Sequence, residues 1–72
     1  MKKVYKLEDL DCANCAAKME RVIAKIEGVE SASISFLAQK LTIVAPEERM
    51  EEIRAEAARR CKMIEPGCAI VG

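Results

Sequence analysis

The chain has 72 residues, of which 51% are hydrophobic, and a formal net charge of zero. A chain this short forms one small domain, residues 1–72, and cannot enclose a large active-site cavity between two lobes. Its 12 basic and 12 acidic side chains form no basic block, and Tyr5 and Phe36 are its only aromatic residues. Nucleic acid is therefore excluded as an expected partner, and the core should be largely aliphatic.

The first half of the chain predicts a strand, a helix and a second strand. Residues 4–7 form the first predicted strand, and residues 8–14 a polar connection. Across residues 13–27, apolar side chains recur every three or four positions, which indicates an amphipathic helix with one buried face. Gly28 follows, where a left-handed residue commonly ends a helix. In residues 29–36, apolar residues alternate with serines, as in a strand with one face in water.

The second half predicts a strand, a helix and a last strand. A turn at residues 37–40 leads to a third strand at residues 41–44. Pro46 and the two glutamates after it suit the start of a second helix. A proline-glycine turn then leads into a short strand at residues 68–71. This βαββαβ order predicts a ferredoxin-like α+β sandwich, with a four-stranded antiparallel sheet and both helices on one face.

The motif Asp11-Cys12-Ala13-Asn14-Cys15 lies where the first strand gives way to the first helix. Cys12 and Cys15 are three residues apart, so both thiols project from one surface within reach of a single ion. The positive end of the helix is expected to lower the pKa of both thiols, and thiolate is the form that binds metal. Zn²⁺ prefers four sulfur, nitrogen or oxygen ligands, of which these cysteines supply two.

Asp11, directly before the first thiol, has two roles that residue chemistry alone leaves open. As a third ligand, it would give the site three negative charges, of which a divalent ion leaves one and Cu(I) leaves two. As the helix N-cap, it would accept a hydrogen bond from an amide of the first turn. The ligand role favours zinc, cadmium or lead over Cu(I), because Cu(I) needs only two thiolates.

The sequence also bears on the compartment. No run approaches the ~20 apolar residues of a membrane span. Acidic residues at positions 8, 9 and 11 interrupt the stretch after Lys2-Lys3 where a signal peptide would be hydrophobic. We therefore expect no direct membrane insertion by this chain and a cytoplasmic, reducing location. Paired cysteines there bind metal or take part in redox chemistry.

Cys61 and Cys68 are the other two cysteines. Cys61 falls on the apolar face of the second helix, so core packing is its expected role. Cys68 begins the last strand and is expected to be a strand residue with no chemistry. In the predicted topology, residues 8–14, residues 37–40 and the segment after Cys61 share one end of the molecule. The sequence therefore leaves two questions open: whether either cysteine joins the motif, and whether Cys61 and Cys68 form a disulfide with each other.

These residues together resemble the heavy-metal-associated domain over nearly the whole chain. The carriers are the motif with Ala16, the helix exit and the second strand: Asp11-Cys12-Ala13-Asn14-Cys15-Ala16, Ile26-Glu27-Gly28-Val29 and Ala32-Ser33-Ile34-Ser35-Phe36. The resemblance implies that Cys12 and Cys15 bind metal. Copper-handling members usually have Gly-Met-Thr before the first cysteine, whereas an aspartate there is similar to the N-terminal domains of zinc-, cadmium- and lead-exporting P-type ATPases. The resemblance to those exporting ATPases implies that Asp11 is an additional metal ligand.

The resemblance further implies a metal-binding module that is not itself an enzyme. Its partners would be the metal ion and the membrane-embedded part or other domains of a metal-efflux ATPase. A free-standing metallochaperone, including one for copper, is the alternative. A thiol-disulfide oxidoreductase also places Cys-x-x-Cys between a strand and a helix. However, no aromatic residue or proline flanks these thiols, and the order of elements after Gly28 fits that class poorly.

Overall fold

The computed structural model describes residues 1–71. Its elements in chain order are β1 (Lys2–Glu8), α1 (Ala13–Ala24), β2 (Ser31–Ser35), β3 (Lys40–Val44), a 3₁₀ turn (Glu47–Arg49), α2 (Met50–Ile64) and β4 (Ala69–Val71). The strands form one antiparallel sheet in the order β2-β3-β1-β4. The predicted ferredoxin-like sandwich is confirmed, with α1 and α2 packed against each other on one face of the sheet.

The core lies between the sheet and the two helices. Alternate residues of the central strands point into it, and Tyr5, Leu7, Leu41 and Ile43 are all buried. The helices contribute a matching apolar stripe. Its fully buried members are Met19, Ile23, Ile53, Ala57 and Cys61. Each large aliphatic side chain removed from water in this way stabilises the fold by roughly 1.5–3 kcal/mol. The core is aliphatic as predicted, apart from Tyr5.

Two side-chain hydrogen bonds fix the helices in place. Glu20 of α1 accepts a hydrogen bond from the backbone N–H of Ile34 at 2.8 Å, which ties the helix to the edge strand β2. Arg60 of α2 donates to the backbone carbonyl of Val22 at 2.9 Å. The second bond adds a donor from α2 to a carbonyl in the last turn of α1 and so joins the two helices.

Helix α1 ends earlier than the apolar periodicity predicts. The last helical residue is Ala24. The next two amides bond to carbonyls three residues back, from Lys25 to Val22 at 3.3 Å and from Ile26 to Ile23 at 3.0 Å. Because Ile26 is still buried, the apolar pattern continues past the end of the helix. Gly28, with φ of +96°, adopts the predicted left-handed conformation.

Helix α2 begins later than predicted. Pro46 precedes the 3₁₀ turn, and the α-helix starts at Met50. The Arg49 amide bonds to the Pro46 carbonyl at 3.1 Å, an i to i+3 bond that delays α-helical geometry. Cys68 also lies one residue before β4 rather than within it. None of the helices in residues 1–71 is long and apolar enough to cross a membrane.

Three connections meet at one end of the molecule, as the topology predicts. The turn between β2 and β3 reaches the connection after β1, where the Gln39 side chain bonds to the backbone of Leu10. The segment after α2 reaches the start of α1, where Glu65 lies 3.7 Å from the sulfur of Cys15. Residues far apart in sequence therefore surround the Cys-x-x-Cys motif.

Candidate metal centre

The metal loop, residues 9–12, carries the chain from β1 into α1. Asp9 adopts a left-handed conformation with φ of +59°, which aspartate tolerates better than most residues. Leu10 then turns inward and is only 2% exposed. This buried anchor leaves Asp11 exposed and Cys12 half-exposed at the surface. The loop therefore presents its polar groups to solvent while its middle is fixed in the core.

Cys12 is the N-cap of α1. Its backbone is extended, with φ of −122°, and its sulfur accepts a hydrogen bond from the Cys15 backbone N–H at 3.3 Å. Its carbonyl accepts the first helical bond, from Ala16 at 3.0 Å. The alternative prediction that Asp11 caps the helix is therefore wrong. The thiol takes the capping position because the helix begins one residue later than an Asp11 cap requires.

The two thiols of the motif have different affinities for a proton. A hydrogen bond from the Cys15 side chain, reinforced by the Cys15 backbone N–H, lowers the pKa of Cys12 below its ordinary value. That shared bond, together with partial burial and the negative charges of Cys12 and Glu65, raises the pKa of Cys15 to about 11. The predicted lowering holds for Cys12 and is wrong for Cys15, because their interaction favours the thiolate of Cys12 and the protonated form of Cys15.

Glu65, the C-cap residue of α2, is the acidic group in contact with the thiol pair. The Cys15 thiol donates toward Glu65 Oε2 at a sulfur–oxygen distance of 3.7 Å. The sequence interpretation did not include Glu65, because fifty residues separate it from Cys15. One signal was present, since the predicted topology places the segment after Cys61 at the same end of the molecule as the motif.

Asp11 is not gathered with the thiols. Its side chain is exposed. Within residues 1–71, no group of three or more histidine, cysteine, aspartate or glutamate side chains is arranged to hold an ion. The contacts present are pairwise: the Cys15 backbone N–H donates to the Cys12 sulfur at 3.3 Å, and the Cys15 sulfur lies 3.7 Å from Glu65 Oε2.

Cys61 lies in the core, as predicted, and so does Cys68, and each is only 1% exposed. Both are free thiols. Met63, in the last turn of α2, is 73% exposed, and its sulfur lies 3.7 Å from a guanidinium nitrogen of Arg59. Of the four cysteine thiols, those of Cys12 and Cys15 are therefore the two that reach the surface.

This combination of fold and half-exposed Cys-x-x-Cys matches one family. The sequence profile of the heavy-metal-associated domain aligns with residues 4–59, which include the whole motif. The chain belongs to the heavy-metal-associated domain family. Domains of this family are metal-binding modules, and the chain is one such module.

Relatives of this heavy-metal-associated domain include bacterial metal-transporting ATPases. It is 40% identical over 63 residues to a probable cadmium-transporting ATPase of Listeria monocytogenes, covering 88% of this chain and 9% of that protein. It is 32% identical over 66 residues to the cadmium, zinc and cobalt-transporting ATPase of Bacillus subtilis, covering 92% of this chain and 9% of that protein. The chain therefore spans about a tenth of the length of these relatives.

A copper-related protein also resembles this heavy-metal-associated domain. The solved N-terminal domain of PacS from Synechocystis superposes with a TM-score of 0.71 at 26% identity, covering 97% of this chain and 92% of that one. PacS is described as a probable copper-transporting ATPase and is 35% identical over 54 residues, 75% of this chain and 7% of PacS. The family likeness therefore leaves the metal open.

Proposed function

We propose that this chain binds a soft divalent ion, zinc, cadmium or lead, through Cys12 and Cys15 with a carboxylate from Asp11. It passes the ion on by ligand exchange, as the cytoplasmic N-terminal domain of a metal-efflux P-type ATPase. The observation that carries the proposal is the half-exposed thiol pair at the start of α1, with the Cys12 sulfur already accepting an amide hydrogen bond. The pump's membrane-embedded part and catalytic domains are its partners.

The exposure of the pair supports exchange rather than permanent storage. A structural zinc site is closed by four protein ligands, whereas an open position lets an incoming ligand attack the ion. Cys12 and Cys15 supply two ligands, and both sulfurs lie at the surface of one end of the molecule. A cysteine of a partner domain can therefore approach the ion before either bond to this chain breaks.

The charge of this end supports a divalent cargo. Two thiolates and one carboxylate carry three negative charges, which a divalent ion offsets better than Cu(I) does. Two carboxylates are available, since Asp11 adjoins Cys12 in sequence and Glu65 contacts Cys15 in space. Both are oxygen donors, and zinc accepts oxygen ligands beside sulfur.

The test is a competitive titration of the reduced chain with Cd²⁺, Zn²⁺, Pb²⁺ and Cu(I). We expect Asp11→Asn to weaken Cd²⁺ binding by at least about tenfold, the scale of losing a group that supports a metal site. Cu(I) binding should stay within about twofold, since two thiolates suffice for it. Glu8→Gln, which removes an exposed carboxylate at the end of β1, is the matched control and should leave all affinities unchanged.

Glu65→Gln separates the two carboxylates. Unchanged Cd²⁺ affinity in Asp11→Asn, combined with weakened affinity in Glu65→Gln, would transfer the oxygen ligand from Asp11 to Glu65. Failure of the wild-type chain to bind any of the divalent ions would refute the proposal as a whole.

Copper transport is the second candidate, and the likeness to PacS favours it. It predicts that Cu(I) binds far more tightly than Cd²⁺ relative to a chelator of known affinity. It also predicts that neither Asp11→Asn nor Glu65→Gln affects loading, because both sulfurs alone hold Cu(I).

A further inference from the structure

Gln39, in the turn between β2 and β3, is bound to the metal loop by both ends of its side-chain amide. The Leu10 backbone N–H donates to Gln39 Oε1 at 3.2 Å, and Gln39 Nε2 donates to the Leu10 carbonyl at 2.8 Å. The second hydrogen of Nε2 reaches the Phe36 carbonyl at 2.9 Å. One side chain thus joins the metal loop to the turn, 29 residues away in sequence.

This pairing copies the hydrogen bonds of a sheet. A primary amide offers one acceptor and two donors, as an adjacent strand would offer a carbonyl and an N–H. The Gln39 carbonyl also accepts from the Leu7 N–H at 2.7 Å, so main chain and side chain act together. The ladder between β1 and β3 is therefore continued by the Gln39 side chain to Leu10, beyond the last strand residue, Glu8.

The backbone at Gln39 adopts an unusual conformation at the point where its side chain bonds to the metal loop. Its φ is +56°, in the left-handed region that residues other than glycine seldom occupy. Asp9, on the facing side, has φ of +59°. Such conformations persist where surrounding contacts over-determine them, and they concentrate at functional sites. The Gln39 amide bonds directly to the residue after Asp9, so both unusual conformations are held by one set of hydrogen bonds.

We propose that Gln39 is a positioning residue of the metal centre. Gln39 fixes the backbone of Leu10. Because Cys12 follows only two residues later, Gln39 also sets the position of the Cys12 thiol and limits its movement. The inference rests on the proposed metal-binding function, since the group that it positions is a ligand of the ion. Gln39 itself does not touch the metal.

Two substitutions remove the contact with Leu10 and keep a residue that accepts the left-handed backbone, although both also remove the bond from Gln39 to the Phe36 carbonyl. Gln39→Asn keeps an amide and tolerates the left-handed backbone, but its side chain is one methylene too short to reach Leu10. Gln39→Gly also accepts positive φ and removes the side chain altogether. Ser35→Ala is the matched control, because it deletes another hydrogen bond of the same turn, from the Ala38 N–H to Ser35 Oγ at 3.2 Å.

The experiment measures amide hydrogen exchange in the metal-free chain and Cd²⁺ affinity in the same variants. We expect Leu10 to exchange about tenfold faster in Gln39→Asn and Gln39→Gly, because its acceptor is lost. Cd²⁺ affinity should fall by about tenfold, as for other groups that orient a ligand. Ser35→Ala should leave Leu10 exchange and Cd²⁺ affinity at wild-type values, and exchange in the strand core should be unchanged in all three.

The two readouts separate this inference from the proposed function. If the wild-type chain binds no Cd²⁺, the proposed function fails, and the positioning role fails with it even where Leu10 exchange responds. If the wild type binds but both Gln39 variants bind within twofold of it, the positioning role alone is overturned. Equal loss of affinity in Ser35→Ala would also overturn it, since the effect would belong to the turn as a whole.

Discussion

The four cysteines form two pairs that differ in exposure, in hydrogen bonding and in the cause of their pKa shifts. Cys12 and Cys15 are half-exposed at a helix start, whereas Cys61 and Cys68 are buried in the core. The Cys15 backbone N–H points at the sulfur of Cys12. Burial raises the pKa of Cys61 to about 11, with a smaller effect from Cys68. The comparison teaches that the surroundings of a thiol, rather than the number of thiols, decide which pair is accessible from solvent.

Removing either surface thiol should have the largest effect. Cys12→Ser or Cys15→Ser is expected to weaken Cd²⁺ binding by about a thousandfold or more, since apparent binding energies of ~10–16 kcal/mol at zinc sites come from few ligands. The double variant Cys61→Ala/Cys68→Ala should bind within about threefold of wild type. Competition with a chromophoric chelator measures both. Equal losses in the two sets would abolish the distinction between the pairs.

Alkylation should rank the four thiols by their thiolate content. At pH 7, iodoacetamide is expected to modify Cys12 at least about a hundredfold faster than Cys61, because each pKa unit changes the thiolate fraction tenfold. Cys15, whose pKa is raised to about 11, should follow Cys12. Peptide mass spectrometry over time gives the order. Modification of Cys15 before Cys12 would reverse the proton assignment within the pair.

The free energy of unfolding should depend on the buried cysteines more than on the surface pair, the reverse of the order expected for Cd²⁺ binding. Cys61→Ser places a hydroxyl in an apolar site and should lower the free energy of unfolding by about 1–3 kcal/mol. Cys12→Ser should change it far less, because a serine hydroxyl can still cap α1. Urea denaturation of the metal-free chain compares them. A larger loss for Cys12→Ser would show that the surface pair is structural.

The pH dependence of binding gives the smallest effect. Cys15 keeps its proton at neutral pH because its pKa is about 11, and the ion must displace that proton. Below that pKa, Cd²⁺ affinity should therefore rise by at least about tenfold for each unit increase in pH. Titrations at pH 6.5, 7.0 and 7.5 measure the slope. An affinity independent of pH would mean that both sulfurs are already thiolates in the free chain.

The sequence predicted the fold well because its signals are local. Alternation in residues 29–36 and the three- and four-residue spacing in α1 report which side of each element faces the core. The α1 boundary was wrong because Ile26 is buried from a turn rather than from the helix. A local pattern reports which residues are buried, and burial can continue beyond the residue at which the helical hydrogen bonds end.

The site was predicted only in part, because part of it is made by tertiary contacts. Cys12 and Cys15 are recognisable from their spacing, and their ligand role remains a prediction. Gln39 reaches the metal loop and Glu65 reaches Cys15 of α1, each from a segment distant in sequence and by a single side chain that no periodicity marks. The capping role of Cys12 instead of Asp11 depends on where the helix starts, which sequence locates only to within a few residues.

X-ray absorption at the cadmium edge tests the central claim most directly, since it counts the sulfur atoms around the ion in a dilute, reduced sample. The account predicts two sulfur neighbours together with oxygen neighbours, both in the wild type and in Cys61→Ala/Cys68→Ala. Three or four sulfurs in the wild type, falling to two in that variant, would contradict it by placing the buried cysteines at the metal.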